Sequence, residues 1–491
     1  MSNQILGILT VIICAANYAL ALKYFRKGRD IPAIILIMLC GLLLRLFTGA
    51  DLYLHEWDER FHALVAKNLM QHPLVPTLYD NPLLPYDFRN WTENHIWVHK
   101  QPLPLWAMAL SMKLFGINEM ALRLPSILLS TAAICLTFYI GSALFNRKVG
   151  MTASFFHSIN GFIIATTVGR TGTDHDMFHM FFVELSVFFI VYSLQYRKRS
   201  INVLIGLSIG LAILCKWLTA LIVLPLWFIL FRKNEPPVNL FVNFLIISAV
   251  CVVTFMPWQI YIHRAFPAES KWEDSYNTKH ITEALEDHAG SAFFEFENMN
   301  KNYGKLIYIP LVWFLIVVLR NLKDERLVVV SVWFVVPVLF FTMVKTKMSG
   351  YTLFSAPSVF IILALFVDYA LKKAGDIKGY GQTAAASFIV LIFLVPAVFF
   401  NTYSTLRVVR PFNRENREPV WAGHLKNLDQ IINQKNTVIF NSDHPIETMF
   451  YSSFTAYRGL PTSEQIKYLT RRGYKIEVFC PRSPLRGTGC I

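Results

Sequence analysis

The sequence predicts an all-α polytopic membrane protein of about twelve crossings, followed by a small α/β unit, and three observations carry that expectation. Charged residues make up 16% of the 491 positions, well short of the roughly one quarter usual in soluble proteins, while hydrophobic residues make up 54%. Apolar runs of about 15 to 22 residues recur along most of the chain, the length an α-helix needs to carry its own backbone hydrogen bonds through hydrocarbon. The Lys and Arg residues sit mainly in short loops between those runs. A soluble enzyme with a very large core does not share this pattern.

Taken in order, the crossings fall at 4–22, 31–50, 124–145, 150–168, 177–195, 201–215, 217–231, 238–257, 306–320, 327–343, 353–371 and 383–400. The first run lacks a basic leading segment and a small-residue cleavage site, so no cleavable signal peptide is expected. If the crossings alternate, the loops KYFRKGRD, NRKVG, QYRKRS, FRKNEPP, RNLKDER and KKAGDIKGYG share one side. All six are basic, which makes that side the cytoplasm. The net charge of +14 is thereby explained, with attraction to anionic headgroups and no nucleic acid.

The two long hydrophilic loops, 51–123 and 259–305, then lie on the extracytoplasmic side with the short TTVGRTGTDHD turn and the stretch 401–491. Within the first loop, PLPLWAMALSMKLFG (102–116) is apolar, too short to cross comfortably and closely flanked by polar residues. It reads as a helix lying in the interface, with a re-entrant segment as the alternative. The division is a membrane domain over 1–400 and a small extracytoplasmic domain over 401–491. In the latter TVIFN and YKIEVF read as strands, and HPIETMFYSS and SEQIKYLTRRG as helices. Cys14, Cys40, Cys135, Cys215 and Cys251 lie in apolar segments as packing residues. Cys480 and Cys490 fall in the tail CPRSPLRGTGC, where an oxidising compartment would allow a disulfide; their pairing is open.

Four polar constellations fall on the extracytoplasmic side. They are Glu56, Asp58 and Glu59 after a crossing, and His95, His99 and Lys100 before the interfacial helix. The others are Arg170, Asp174, His175, Asp176 and His179 between two crossings, and Lys345, Lys347 and Tyr351 at a further junction. Each acidic cluster alone reads more simply as a helix cap, and the lysines as side chains reaching from helix ends to water. DHDM differs, because carboxylates pressed against a fresh apolar run are costly to hold near hydrocarbon and mark function by default. A chemistry uniting these groups needs a base, a place for an anion and access from lipid. Transfer of a sugar from a polyprenyl-phosphate carrier fits: a carboxylate takes the acceptor's proton, and Lys or Arg receives the departing phosphate. No Gly-rich phosphate loop is present.

The blocks WDERFHALVAKNL, HKQPLPLWAMALSMKLFG, INEMALRLPSIL and GRTGTDHDMFHMFF, in that order, resemble the protein O-mannosyltransferase and aminoarabinose (lipid A) transferase superfamily of integral-membrane GT-C glycosyltransferases, over about residues 50 to 370. The resemblance implies the GT-C fold and inverting transfer from a polyprenyl-phosphate sugar donor. The acceptor would be an envelope lipid or glycan, or a protein hydroxyl, at the periplasmic face of the inner membrane. It places Asp58 at the family's essential acid, the candidate general base, with Glu59 beside it. Asp176 matches the acid of the second loop, and Asp174 is the competing alignment. Lys100 matches the lysine of a Lys-Pro-Pro-Leu pattern and Arg170 a Gly-Arg; Lys345, Lys347 and Tyr351 match a late block facing the lipid phosphate. Arg123, in RLPS, matches a structural junction. The chain departs from the family at His99 and Gln101, which flank Lys100 where Glu and Pro are common, and at His62, where an aromatic is usual in part of it. No cofactor is required by this reading. A divalent metal on His99, His288 or His95 is the minority expectation, since imidazole suits zinc but the spacing is irregular. The competing function class is a transporter or flippase of lipid-linked sugars, against which stands the clustering of charge at one membrane face.

Overall fold

Eight helices are long and apolar enough to cross a membrane among the residues that the computed structural model describes, namely 3–170, 175–196, 198–375 and 417–479. They are α1 (Asn3–Arg26), α2 (Asp30–Thr48), α5 (Glu119–Leu144), α8 (His175–Tyr196), the run Ile201–Phe231, α11 (Pro237–Ala265), α15 (Glu325–Met343) and the run Leu353–Ala374. The shorter α3 (Asp58–Leu69) and α4 (Pro102–Phe115) precede α5. Of the apolar window in Leu353–Ala374, 72% is buried, against 17% in α1 and 11% in α11. The first is therefore a core element. The other two leave side chains such as Ile12 and Val253 uncovered, a surface that only lipid solvates well.

The expected crossings are broken, bent or joined in three places, and at the third the two expected crossings are kept. The stretch 150–168 is two helices, α6 (Arg147–Ile159) and α7 (Gly161–Thr167), each too short to cross. Asn160 separates them, its side chain capping α7 at Ile163 N and donating to Asn302 O at 2.9 Å. The expected crossing 306–320 is the second half of a bent pair, Phe294–Tyr303 and Lys305–Arg320, at 114°, which raises the count of spans to nine if taken as one. The segments 201–215 and 217–231 form one 31-residue run, broken at Trp217, whose φ of 66° lies in the left-handed region. α9 (Ile201–Lys216) ends there, a 3-10 turn follows over Trp217–Ile222, and α10 (Val223–Phe231) continues. The contacts show that the chain reverses at this break. Lys216 pairs with Asp176 at the start of α8, whereas Arg232 and Lys233 reach Glu325 at the start of α15, and Arg326 reaches Leu144 O at the end of α5. The expected crossing 383–400 lies outside the described residues, as do Cys480 and Cys490.

The basic loops meet at one end of the bundle. Arg147 pairs with Asp30, Arg199 donates to Asn239, Lys233 lies 3.3 Å from Glu325 and Arg326 touches Leu144 O, which links five of the six loops through one another or through the helix ends beside them. At the opposite end lie α3, α4, the loop helix α12 (Pro267–Thr282) and the C-terminal unit. There β1 (Thr437–Phe440) is paired in parallel with β2 (Thr455–Ala456) on one side and β3 (Lys475–Val478) on the other. Every residue of β1 is buried, as a central parallel strand requires. The two strands and two helices read from the sequence are present, and β2, only two residues long, and the short helices Val420–Lys426 and Leu428–Ile431 are additions. The α-helix Ser463–Arg471 starts at a capping box between Thr462 and Gln465, and the helix Pro445–Tyr451 packs on α3.

Lys67, from the last turn of α3, donates to the carbonyls of Met449, Phe450 and Ser452 at 2.7, 2.9 and 3.0 Å. These are the carbonyls that the end of the helix Pro445–Tyr451 would otherwise leave without partners. Lys67→Met removes the charged donor and should cost about 1.5–3 kcal/mol of docking. In limited proteolysis the 417–479 unit should be cut faster in Lys67→Met and stay protected in Lys67→Arg.

Candidate active site

The chain leaving α2 wraps around one side chain. Arg123, in the second turn of α5, donates to the carbonyls of Gly49, Asp51 and Tyr53 at 2.7–2.9 Å and to both carboxylate oxygens of Glu59 at 2.6 and 3.0 Å. Its planar fork suits this set, and both partners are almost wholly buried, Arg123 at 3% and Glu59 at 1% exposure. Glu59 also accepts from the backbone N–H of His55 at 2.5 Å. Burial alone would raise its carboxyl, but Arg123 and then His55 more than offset this and hold it far below the usual range. Gly169, at φ 76°, lets the neighbouring turn close onto this pair, since a Cβ there would sit 2.7 Å from the Glu59 carboxyl carbon. Arg170 then pairs with Asp51, whose carboxylate is shared with His55 at 3.0 Å and Arg417 at 3.3 Å. Glu59 and Arg170, both site candidates from sequence, therefore stand in the frame, their groups committed to structural partners.

Asp58, one residue earlier, points elsewhere, because adjacent helical residues are about 100° apart. Its Oδ2 lies 3.4 Å from Lys100 Nζ and 3.9 Å from His175 Nδ1. His62, one turn further along α3, places its ring 5.3 Å from that of His175. The row continues through His175 Nε2, 3.7 Å from Asp176 Oδ1, and through the ion pair of Asp176 with Lys216, whose Nζ stands 4.8 Å from the Tyr351 ring centroid. Burial would raise the Asp58 carboxyl, yet Lys100, with His62 and His99, offsets it and keeps it below the ordinary carboxylate range. Lys100 is in turn held above its usual range, with burial outweighed by Asp58, Glu286 and Asp176. Asp58 is thus an ionised, half-buried carboxylate, fit to accept a proton.

The two long loops are stitched beside this row. Glu286 accepts from Trp91 Nε1 and Tyr276 Oη, both at 2.8 Å, and both Glu286 and Asp287 hold positive φ. His99 stacks on Trp91 at 4.5 Å and lies 3.1 Å from Glu273.

Of the sequence candidates, the fold brings Asp58, Lys100, Asp176 and Tyr351 into one row. Lys347 is apart: it caps α15 by donating to the carbonyls of Phe341 and Thr342 at 2.9 and 2.8 Å. Lys345 is exposed, its backbone N–H bound to Ile281 O. Asp174 lies outside the described residues. His99, His95 and His288 form no three-ligand group among the described residues, and His95 Nδ1 lies 2.6 Å from Tyr79 O. The group with metal-like spacing is instead Asp58, His62 and His175, one ligand atom of each lying within 4.8 Å of the others. Sequence reasoning missed Lys216. Its signal was there: a lone cation inside the apolar run ILCKWLTALIVLPLWFIL.

The model of the dolichyl-phosphate-mannose-protein mannosyltransferase family matches residues 99–261. An uncharacterized protein of Aquifex aeolicus is 26% identical over 71% of this chain and 66% of its own length. The undecaprenyl phosphate-alpha-4-amino-4-deoxy-L-arabinose arabinosyl transferase 2 of Pseudomonas fluorescens is 25% identical over 57% of this chain and 52% of its own, and that of Proteus mirabilis 25% over 62% and 58%. The matches thus span about half to two thirds of these relatives. Among solved structures, ArnT from Cupriavidus metallidurans bound to undecaprenyl phosphate aligns with a TM-score of 0.63 at 14% identity, over 89% of this chain and 88% of that one. The archaeal oligosaccharyltransferase AglB from Archaeoglobus fulgidus, in complex with an inhibitory peptide and a dolichol-phosphate, aligns at 0.61 and 12%, over 88% and 64%. The chain is an integral membrane protein with the GT-C fold, and its resemblance to the O-mannosyltransferase and aminoarabinose transferase superfamily stands.

The Glu59 carboxyl titrates lower folded than unfolded, so its contribution to stability is present above its unfolded pKa near 4.3 and is lost as pH falls below it. Glu59→Gln should therefore flatten the acid limb of a melting-temperature profile taken from about pH 6 to 3. Arg123→Gln, which leaves a buried carboxylate unpaired, should lower stability by about 3–5 kcal/mol at neutral pH.

Proposed function

We propose that this protein moves a sugar from a polyprenyl-phosphate carrier to an acceptor at the extracytoplasmic face of the membrane, by inverting displacement with Asp58 as the base. The observation that carries the reading is the ionised Asp58 carboxylate set beside Lys100 and one side chain from Asp176 and Lys216, on a fold shared with proteins solved with undecaprenyl phosphate and with a dolichol-phosphate. The acceptor hydroxyl gives its proton to Asp58 as its oxygen bonds to the anomeric carbon on the face opposite the phosphate. The bond between that carbon and the phosphate oxygen breaks, and the polyprenyl phosphate leaves with the electron pair. Lys100 and Lys216, with Tyr351 against the latter, are the groups positioned to receive the charge that develops on it. Asp176 serves to hold Lys216 in place, a positioning role.

The clustering of these charges at one end of the bundle supports surface chemistry over alternating access, which would place polar or broken helices near the midplane. The five basic loops gathered at the other end support an extracytoplasmic site. The relatives act, by name, on an aminoarabinose carrier or on dolichyl-phosphate-mannose, and the acceptor class proposed here is an envelope lipid or glycan, or a protein hydroxyl.

Mass spectrometry of lipids that co-purify with the protein tests this directly. Asp58→Asn should accumulate a polyprenyl-phosphate sugar and transfer it about 10²–10⁴-fold more slowly than wild type. Lys216→Met should slow transfer and, because it leaves the buried Asp176 carboxylate unpaired, should lower the melting temperature as well. Equal lipid occupancy in wild type and Asp58→Asn, with no transfer by either, would move the reading to a flippase.

A further inference from the structure

We propose that Asp58, His62 and His175 form a binding site for an imidazole-preferring divalent cation such as zinc, and that filling the site silences the carboxylate. The second half of this proposal rests on the reading of Asp58 as the base; the first does not.

Asp58 and His62 are four residues apart on α3, which puts both side chains on one face of that helix. His175 opens α8 and meets them from the other side, with its Nδ1 3.9 Å from Asp58 Oδ2 and its ring 5.3 Å from that of His62. One ligand atom from each residue lies within 4.8 Å of the other two. Zinc bonds to nitrogen and oxygen of about 2.0–2.2 Å place tetrahedral neighbours roughly 3.3 Å apart, so adjustments of about an ångström, within reach of side-chain torsions, close the set. Two imidazoles and one carboxylate make the ligand set that suits zinc and leaves a fourth position open. Trp97, fully buried, packs its ring edge-on 5.9 Å from His62, which fixes that imidazole in place. His62 and His175 are themselves 1% and 6% exposed.

The surrounding charges decide what occupancy would mean. Lys100 Nζ shares Asp58 Oδ2 with the site, and Lys216 stands beyond it on Asp176. A dication on Asp58 and the Lys100 ammonium repel one another at this range, so metal and Lys100 compete for the carboxylate. Coordination to zinc draws charge from both carboxylate oxygens and sets a dication against the arriving proton, so the bound carboxylate is a far weaker base and the cation acts as an inhibitor of transfer. His62, where an aromatic is usual in part of the resembling family, supplies this chain's second imidazole.

The test uses the full chain in detergent, stripped with EDTA and titrated with Co²⁺, whose visible absorption reports tetrahedral coordination, and then with Zn²⁺ in competition. We expect one cobalt per chain. Affinity should be weakened at least about tenfold in His62→Gln and in His175→Gln and tightened in Lys100→Gln, which removes the competing ammonium. Absence of tetrahedral bands, or affinity unchanged in both histidine variants or weakened in Lys100→Gln, overturns the site. Lys100→Gln keeps the test decisive if a histidine variant fails to fold. Transfer by the wild type should fall with Zn²⁺ occupancy and return with EDTA. Transfer that rises with occupancy overturns the silencing. Stoichiometric binding with transfer unchanged overturns Asp58 as the base and leaves the site standing.

Discussion

Arg123 and Glu59 meet where α2, α3 and α5 converge, and the end of the bundle is organised around that buried ion pair. Taking both charges out of water is costly, and the pair is tolerable because every donor of the guanidinium and both oxygens of the carboxylate are engaged. The three backbone carbonyls in the set fix the path of Gly49 to Tyr53. Glu59, bonded back to His55, fixes the start of α3. Asp58 inherits its position from this arrangement, since its own side chain makes no comparable set of bonds. A frame built on a fully satisfied neighbour leaves the adjacent carboxylate free to face a cation and two imidazoles instead of the interior.

The C-terminal unit extends the same frame. Tyr451 donates to Glu119 at 2.7 Å and receives from Leu54 N, and Lys426 reaches both Glu119 and Leu52 O. Arg60 lies 3.5 Å from Glu447, and apolar residues of α3 share one core with Leu425, Ile439 and Phe450. α3 is thus held from both sides, by α5 toward the membrane and by the small unit above it.

Much of this was legible in the sequence, and the misses have physical reasons. The basic loops were legible because charge asymmetry survives without any knowledge of packing, and the bundle does gather them at one end. Asp58, Lys100 and Asp176 were legible as ionisable residues set against apolar runs. Glu59 was grouped with Asp58 because adjacency in sequence hides the turn of the helix that separates them. Arg170 and Lys347 were read as phosphate ligands because a cation's role depends on its nearest oxygen, which for one is Asp51 and for the other the end of α15. Lys216 was overlooked because its partner is 40 residues away, and the break at Trp217 that exposes it needs a backbone angle no composition reveals. The stretch 150–168 has the hydropathy of one crossing, but Asn160 finds caps on two elements and divides it.

The shared carboxylate of Asp51 has a consequence for the order in which the protein is made. Arg417, which lies 3.3 Å from it and also donates to Asn3 at 2.7 Å, is 366 residues further along the chain. At about 5–20 residues per second, a ribosome delivers that arginine roughly 20 to 70 s after the aspartate. During that interval the end of α2 is already in the bilayer, with His55 and later Arg170 as its partners. The nascent bundle therefore waits, partly assembled, for the 417–479 unit to lock α1 and α2. Completion of the site is thereby coupled to synthesis of that unit.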